Sequence, residues 1–310
     1  MTVRRKRKPT PTKTTNKRRT MSGGKAAAAM IPLAIATVLP PALNRVNKGA
    51  APSAAAGGAL AFNLGCKVPF DNIKSSGLEI DAKCTVDGNG GKDTAKVLEN
   101  HSKNNFCVTG NPTAITYDDF KGLQKTADDN GLKQGLDQSR NSLISIFPSS
   151  GGSKIGEGTL VQFVTFLLKA HPSNVGSGEN VNCKLTQPDE NDIHIELTMD
   201  RSDDDPCNGV TAEMSPHFRP AEWTKLTTLD KFDRPVRVTG PLFYDDSHTP
   251  CHGTVRPNPK RISVWEIHPV YQFEICKATG KDLKSCDVKD NSVWVPLDQW
   301  FSSNTDEPGQ

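Results

Sequence analysis

The chain has 310 residues, with 38 Lys and Arg against 35 Asp and Glu, a net charge of +3. Twelve of the bases and none of the acids fall between Met1 and Lys48, so the rest carries 26 bases against 35 acids, a balance of −9. A body that acidic gains nothing from releasing counterions off a polyphosphate, which argues against nonspecific nucleic-acid binding, while its length suffices to bury a sizeable core.

Residues 1–58 read as a basic tail, a signal or anchor segment and a linker. Arg4, Arg5, Lys6, Arg7 and Lys8 precede an apolar stretch from Ala26 to Leu43 and a small-residue run from Ala50 to Gly58. Basic, apolar and small in that order describe a secretory signal. A retained membrane anchor needs about 20 apolar residues, and Pro32, Pro40 and Pro41 interrupt this stretch. A cytosolic basic arm is the third reading, and Met21 as the true start would leave a more ordinary signal. The expected location is periplasmic or secreted, with membrane contact only through this segment if it is not cleaved.

Eight cysteines follow: Cys66, Cys84, Cys107, Cys183, Cys207, Cys251, Cys276 and Cys286. Their number is even and none forms a C-x-x-C pair, which speaks against zinc-ribbon and thioredoxin-like sites. Disulfides in an oxidising compartment are the expectation. The pairing stays open, because eight cysteines allow on the order of a hundred connectivities.

Residues 59–150 read as a small helical, cysteine-containing region. The loop Asp87-Gly-Asn-Gly-Gly hints at calcium, but Gly91 stands where a third ligand belongs, so a turn is expected. Residues Asp93 to Asn105 carry apolar side chains near helical spacing. A second helix starts at Thr116 as N-cap, with Asp119 three residues on and Phe120, Leu123 and Ala127 on its apolar face. Asn130-Gly131 supplies its stop.

Residues 151–290 change to strand character. Runs from Gly158 to Ala170, Asn182 to Thr186, Ile193 to Met199, Val236 to Tyr244 and Val264 to Lys277 give five strands. A proline-led helix from Pro220 lies between the third and fourth. That order predicts an OB-like five-stranded β-barrel, hence an α+β fold preceded by a disulfide-linked helical region. A sandwich needs about seven strands. Residues 291–310 form a C-terminal tail whose Trp294 and Trp300 are expected at the surface, covering the barrel's open end.

The segments Val236-Arg-Val-Thr-Gly-Pro-Leu-Phe-Tyr-Asp, His248-Thr-Pro-Cys and Val264-Trp-Glu-Ile-His-Pro-Val resemble bacterial exported proteins of uncharacterised function. Lys103-Asn-Asn-Phe-Cys and Asp192-Ile-His-Ile are similar to further segments of that group. The resemblance spans roughly Cys66 to Lys277; it implies export and a barrel and brings no activity.

Chemistry is concentrated on the third and fifth strands. On the fifth, Trp265, Ile267, Tyr271, Phe273 and Ile275 share one face, and Glu266, His268, Gln272 and Glu274 the other. In an OB-like barrel the two strands are neighbours, so His194, Glu196, Glu266 and His268 converge, with Asp192 at the edge and His248 within reach. Such a set suits a divalent metal such as zinc, with His194, His248 and His268 as ligands and Glu266 as general base on a metal-bound water. The competing reading is a structural polar network, with Glu266 paired to Arg261 or Arg237; ligand binding without metal is the third.

Elsewhere the sequence offers no nucleophile elbow and no phosphate-cradling glycine loop, so no cofactor beyond a divalent metal is expected. Asp200, Asp203, Asp204 and Asp205 read as a solvated loop rather than a calcium site. Arg256, Lys260 and Arg261 beside Trp265 form the body's basic and aromatic cluster, with Trp265 on the core face. The reading is an exported binding or interaction module for an unknown ligand, glycan or protein. Its alternative is a metal-dependent hydrolase acting on phosphodiesters.

Overall fold

The structure, a computed structural model, describes residues 83–85, 88–132, 140–203, 205–217, 219–278 and 282–303. The N-terminal segment, Cys66, Asp87 and Asp204 lie outside the described residues.

The helical region begins with α1 (Thr94–Lys103), capped by the Asp93 carboxylate, which accepts from Lys96 N. A short strand β1 (Thr113–Ile115) leads into α2 (Tyr117–Asp129). There Thr116 and Asp119 form the reciprocal capping box that their spacing announces. Phe120, Leu123 and Ala127 go to zero exposure, and Phe120 meets Phe163 edge-on at 5.2 Å. Past a small hairpin, β2 (Phe147–Pro148) with β3 (Lys154–Ile155), come the strands of the main sheet.

They are β4 (Leu160–Pro172), β5 (Ile193–Thr198), β6 (Val210–Met214), β7 (Pro235–Tyr244), β8 (Trp265–Ile267), β9 (Gln272–Cys276) and β10 (Trp294–Pro296), with α3 (Leu297–Ser303) after them. The second half of β4 pairs antiparallel with β5, and β5 with β6. β6 runs parallel to β8 at Ala212–Ile267, β8 pairs with β7, and β7 returns to the first half of β4. Five strands thereby close a mixed barrel. The 13-residue β4 closes it because it is long enough to curl and meet both neighbours. β1 adds to β4 in parallel, while β9 and β10 extend the sheet beyond β7.

Inside the barrel Val161, Phe163, Ile195, Leu197, Ala212, Val238, Leu242, Trp265 and Ile267 form the core. The outer face is covered as well: every residue of β7 is buried. Among the described residues three disulfides fasten the fold, Cys84–Cys183, Cys207–Cys251 and Cys276–Cys286, spanning 99, 44 and 10 residues. No described cysteine is free, and such bonds fit an oxidising environment. Among the described residues no helix is long and apolar enough to cross a membrane.

Several expectations are corrected. Asn182 to Thr186 is not a strand: the chain coils into successive turns, with Lys184 N bonded to Glu179 O at 2.8 Å and Cys183 and Lys184 at φ of 53° and 61°. The second strand is Ile193–Thr198, and the third is Val210–Met214. The expected fifth strand is broken, since His268 to Tyr271 oppose only Gly240 and Pro241. Gly240 admits that bulge, because a Cβ there would lie 2.4 Å from Pro269 O. The proline-led helix is a 3-10 segment, Ala221–Thr228, burying Trp223 and Leu226 three residues apart. Trp294 is not a surface residue: it is buried against Cys276–Cys286, with the Arg237 guanidinium 4.9 Å from its ring. Trp300 is half-buried against Phe232.

Candidate functional site

The alternation of two strands assembles a polar centre on the outer face. Ala212 and Ile267 are in register and point into the barrel, so Glu213 and His268, one residue on, come outwards side by side. On β5, Ile193 faces inwards opposite Met214, which turns Asp192 and His194 outwards, with His194 across from Glu213.

His268 is the hub. Its Nδ1 lies 3.3 Å from Glu266 Oε1 and 3.3 Å from Glu213 Oε2, and its Nε2 lies 3.4 Å from Asp192 Oδ2. Phe243 stands edge-on to the ring at 5.7 Å. Glu266 is in turn gripped by Arg261, whose Nη1 donates to Oε2 at 2.6 Å. The same guanidinium donates to Asp245, and Asp245 accepts from or pairs with His248 Nδ1 at 2.6 Å. Asp192 accepts from Asn182 Nδ2 at 3.1 Å, and its backbone N–H donates to Glu179 Oε2 at 3.3 Å. Asp192, Glu266 and His268 have no exposure, Arg261 1% and Glu213 7%.

The covering comes from distant sequence. The Cys84–Cys183 bond and the Asn89 N to Asn180 O hydrogen bond at 2.7 Å join the start of the helical region to the turns after β4. Gly88, at φ +55°, brings them together, since a Cβ there would sit 2.5 Å from Asn180 O. α1 delivers Lys103 to the edge of the centre, its Nζ 5.5 Å from the Phe243 ring.

This environment sets the protonation states. Burial, with Glu179 and Glu213 adding repulsion, holds the Asp192 carboxyl well above its ordinary range. Burial and then Glu266 push Glu213 up to about 7. Glu266 also stands at about 7, burial outweighing the pull of Arg261. Burial lowers His268 to about 4 despite Glu213, and lowers His194 to about 3 with help from Arg261. Burial opposes the charge of Asp245 too, yet Arg261 and His248 take it well below the usual carboxylate range. Burial likewise opposes the charge of Lys103, but Asp245, Glu213, Glu99 and Glu266 hold its amine well above its usual value. Three atoms at the middle of this arrangement, Asp192 Oδ2, Glu213 Oε2 and His268 Nε2, are buried without a hydrogen-bond partner. They face one another across the ring of His268, Oδ2 at 3.4 Å from Nε2 and Oε2 at 3.3 Å from Nδ1.

The structure brings together only part of the residue set expected from sequence. Glu266 and His268 belong to the centre, and the Arg261–Glu266 pair forms as one reading foresaw; Arg237 instead binds Glu274 at 2.6 Å. β6 intervenes between β5 and β8, and Glu213 occupies the position expected for His194. The His194 ring lies tilted against that of His171, centroids 5.3 Å apart, with Nε2 3.4 Å from Thr211 Oγ1. His248 sits one residue out, behind Asp245 and Arg261. Among the described residues, the group whose ligating atoms lie within 4.8 Å of one another is Asp192, Glu213 and His268. Glu213 was missed because Val210–Met214 is short, yet Val210, Ala212 and Met214 alternate with Thr211 and Glu213 right after Asn208-Gly209, which is the signal that could have found it. Of the acidic loop, Asp200 and Asp205 cap local turns through Ser202 and Cys207 N–H groups. Arg261 is withdrawn from the expected basic cluster by its burial, and Arg256 pairs with Asp205 at 3.3 Å.

Above the centre a cleft of about 550 Å³ opens between α1 and the turns at 174–184. Lys96, Glu99 and Lys103 line one side, Asn174, Glu179 and Lys184 the other, and His248 reaches its rim. Comparison of the chain with protein-family models, curated proteins and solved structures returned no match.

Proposed function

We propose that this chain is an exported, OB-like binding module whose ligand seat is the polar cleft between α1 and the 174–184 turns. The cleft carries the reading: its volume of about 550 Å³ falls within the roughly 300–1,000 Å³ of small-molecule sites. Amines, carboxylates and amides converge on it, with no aromatic platform among its lining residues. That chemistry fits a compact solute rich in hydroxyls and bearing charged groups, such as a glycan fragment with amino or acidic sugars. Support for the OB-like assignment is the strand order β4-β5-β6-β8-β7 returning to β4, with the parallel β6–β8 seam and the 3-10 segment between β6 and β7. The disulfides and the basic, apolar, small-residue order of the N-terminal sequence support export to a periplasm or beyond.

The metal-hydrolase alternative retains one support, a Glu266 titrating near 7 beside His268. Against it, Glu266 is fully buried and held by Arg261, so its carboxylate has no path to a substrate.

Thermal melts of the oxidised full chain with amino-sugar, uronic-acid and neutral oligosaccharides test the binding reading. A charged sugar is expected to raise the melting temperature by several degrees, and Glu179→Gln or Lys103→Met to abolish the rise. Silence from all three classes would sink it.

A further inference from the structure

We infer that Asp192, Glu213 and His268 form a site for one divalent transition-metal ion, zinc by preference, that fastens the outer face of the barrel. The inference does not depend on what occupies the cleft. It rests first on three orphaned atoms in one place. Asp192 Oδ2, Glu213 Oε2 and His268 Nε2 are buried, lack hydrogen-bond partners and come from residues whose ligating atoms cluster within 4.8 Å. Buried polar atoms are almost always satisfied, so three adjacent orphans, two of them carboxylate oxygens, describe a space shaped for a cation.

Spacing agrees. Zinc bonds of about 2.0–2.2 Å to imidazole nitrogen and carboxylate oxygen, at tetrahedral angles, put neighbouring donors roughly 3.3–3.5 Å apart. His268 Nε2 and Asp192 Oδ2 are 3.4 Å apart, and Glu213 Oε2, 3.3 Å from Nδ1 of the same ring, completes the group within 4.8 Å by turning from Nδ1 towards the ion.

The surroundings are those a metal-binding imidazole requires. A ligating histidine donates its other ring N–H to a carboxylate, which fixes the tautomer and raises the basicity of the bound nitrogen. Here Nδ1 meets Glu266 Oε1, and Glu266 is held by Arg261, which is itself held by Asp245. That chain leaves Nε2, the orphan, as the ligating atom. Asp192 is oriented the same way, its Oδ1 taking the Asn182 amide and leaving Oδ2 free. Carboxyl groups outnumber cations here: Asp192, Glu213, Glu266, Asp245 and Glu179 face Lys103, Arg261 and Arg219, five against three. Glu179 both lines the cleft and accepts the Asp192 N–H, so one side chain separates the centre from the cleft.

The ligands join Asp192 at the start of β5, Glu213 on β6 and His268 at the β8 bulge. An ion there ties three strands across the parallel seam.

The test is metal content by mass spectrometry on the oxidised full chain, loaded with zinc chloride and dialysed, beside melts with zinc, magnesium or chelator. The expected result is close to one zinc per chain and a melting temperature raised by zinc but not by magnesium. Cobalt loading is expected to give visible absorption bands. The isosteric variants Asp192→Asn and Glu213→Gln keep the packing and are expected to weaken zinc binding at least tenfold, with His194→Asn unchanged as the control. Glu266→Gln, a positioning residue, is expected to weaken binding while leaving stoichiometry at one. Zinc-free protein whose melt ignores zinc would overturn the inference, as would zinc retained undiminished by Asp192→Asn and Glu213→Gln.

Discussion

The two faces of the barrel wall are made by the same strands and obey opposite chemistry. Ala212 and Ile267, pointing in, are held by apolar contact; Glu213 and His268, the next residues along, point out into an equally dry space lined with ionisable groups. Inside, burial is the stabilising term and needs no partner geometry. Outside, burial is the cost, and it is offset only where a partner is well placed, as at Arg261 with Glu266 and Asp245. Dryness on both sides therefore does not make the sides equivalent: one tolerates a lost contact, the other a lost charge much less.

Breaking that comparison begins with its largest expected effect. Arg261→Met leaves Glu266 and Asp245 buried without their cation and is expected to cost about 4 kcal/mol in urea melts, whereas Ile267→Ala on the inner face costs about 3 kcal/mol. An Arg261 variant as stable as the parent would show that the outer network carries no weight. Glu213→Gln sharpens the contrast because its sign is opposite. The Glu213 carboxyl is raised in the fold to about 7, so the folded state holds a proton that the unfolded chain releases above its ordinary value. Its stability contribution is present in acid and lost as pH rises through 7. In chelator at pH 8, Glu213→Gln is expected to melt about 3 kcal/mol more stably than the parent, with the gain vanishing by pH 4.

The smallest expected effect concerns His194, lowered to about 3. The fold keeps it neutral, so the unfolded chain takes up a proton first and stability falls as pH drops below about 6.5. His194→Asn should remove that dependence, recovering about 2 kcal/mol between pH 7 and pH 5 relative to the parent. Parallel pH profiles for the two chains would place the histidine in contact with water.

Which parts were legible in the sequence follows from the same division. The inner face was readable: the length of β4, the alternation of Ile193, Ile195 and Leu197, and the Thr116 capping box all announce themselves locally. The outer face was not, because alternating polar residues on a strand read as solvent-facing. Only the cover supplied by residues 88–105 and the turns at 174–191, both distant in sequence from β6 and β8, turns them inwards. The site was half legible for that reason. His268, Glu266 and Asp192 were visible as chemistry, but the register that sets Glu213 beside them depended on a five-residue strand, β6, and on a bulge that Gly240 permits. The turns at Asn182 were misread as a strand since nothing in Asn-Cys-Lys-Leu-Thr announces left-handed backbone at Cys183 and Lys184.

The parallel seam between β6 and β8 has a mechanical consequence. Elsewhere the wall is stitched by runs of antiparallel pairs, seven between β4 and β7, while here a single register pair, Ala212 with Ile267, is supplemented by Val270 N to Glu213 O and Ile262 N to Gly209 O. Local opening takes the path of fewest shared hydrogen bonds, so the cylinder parts along this line before it unravels at β4. Whatever grips Glu213 and His268 from outside thus acts as a clasp on the hem, and sets how often the barrel breathes.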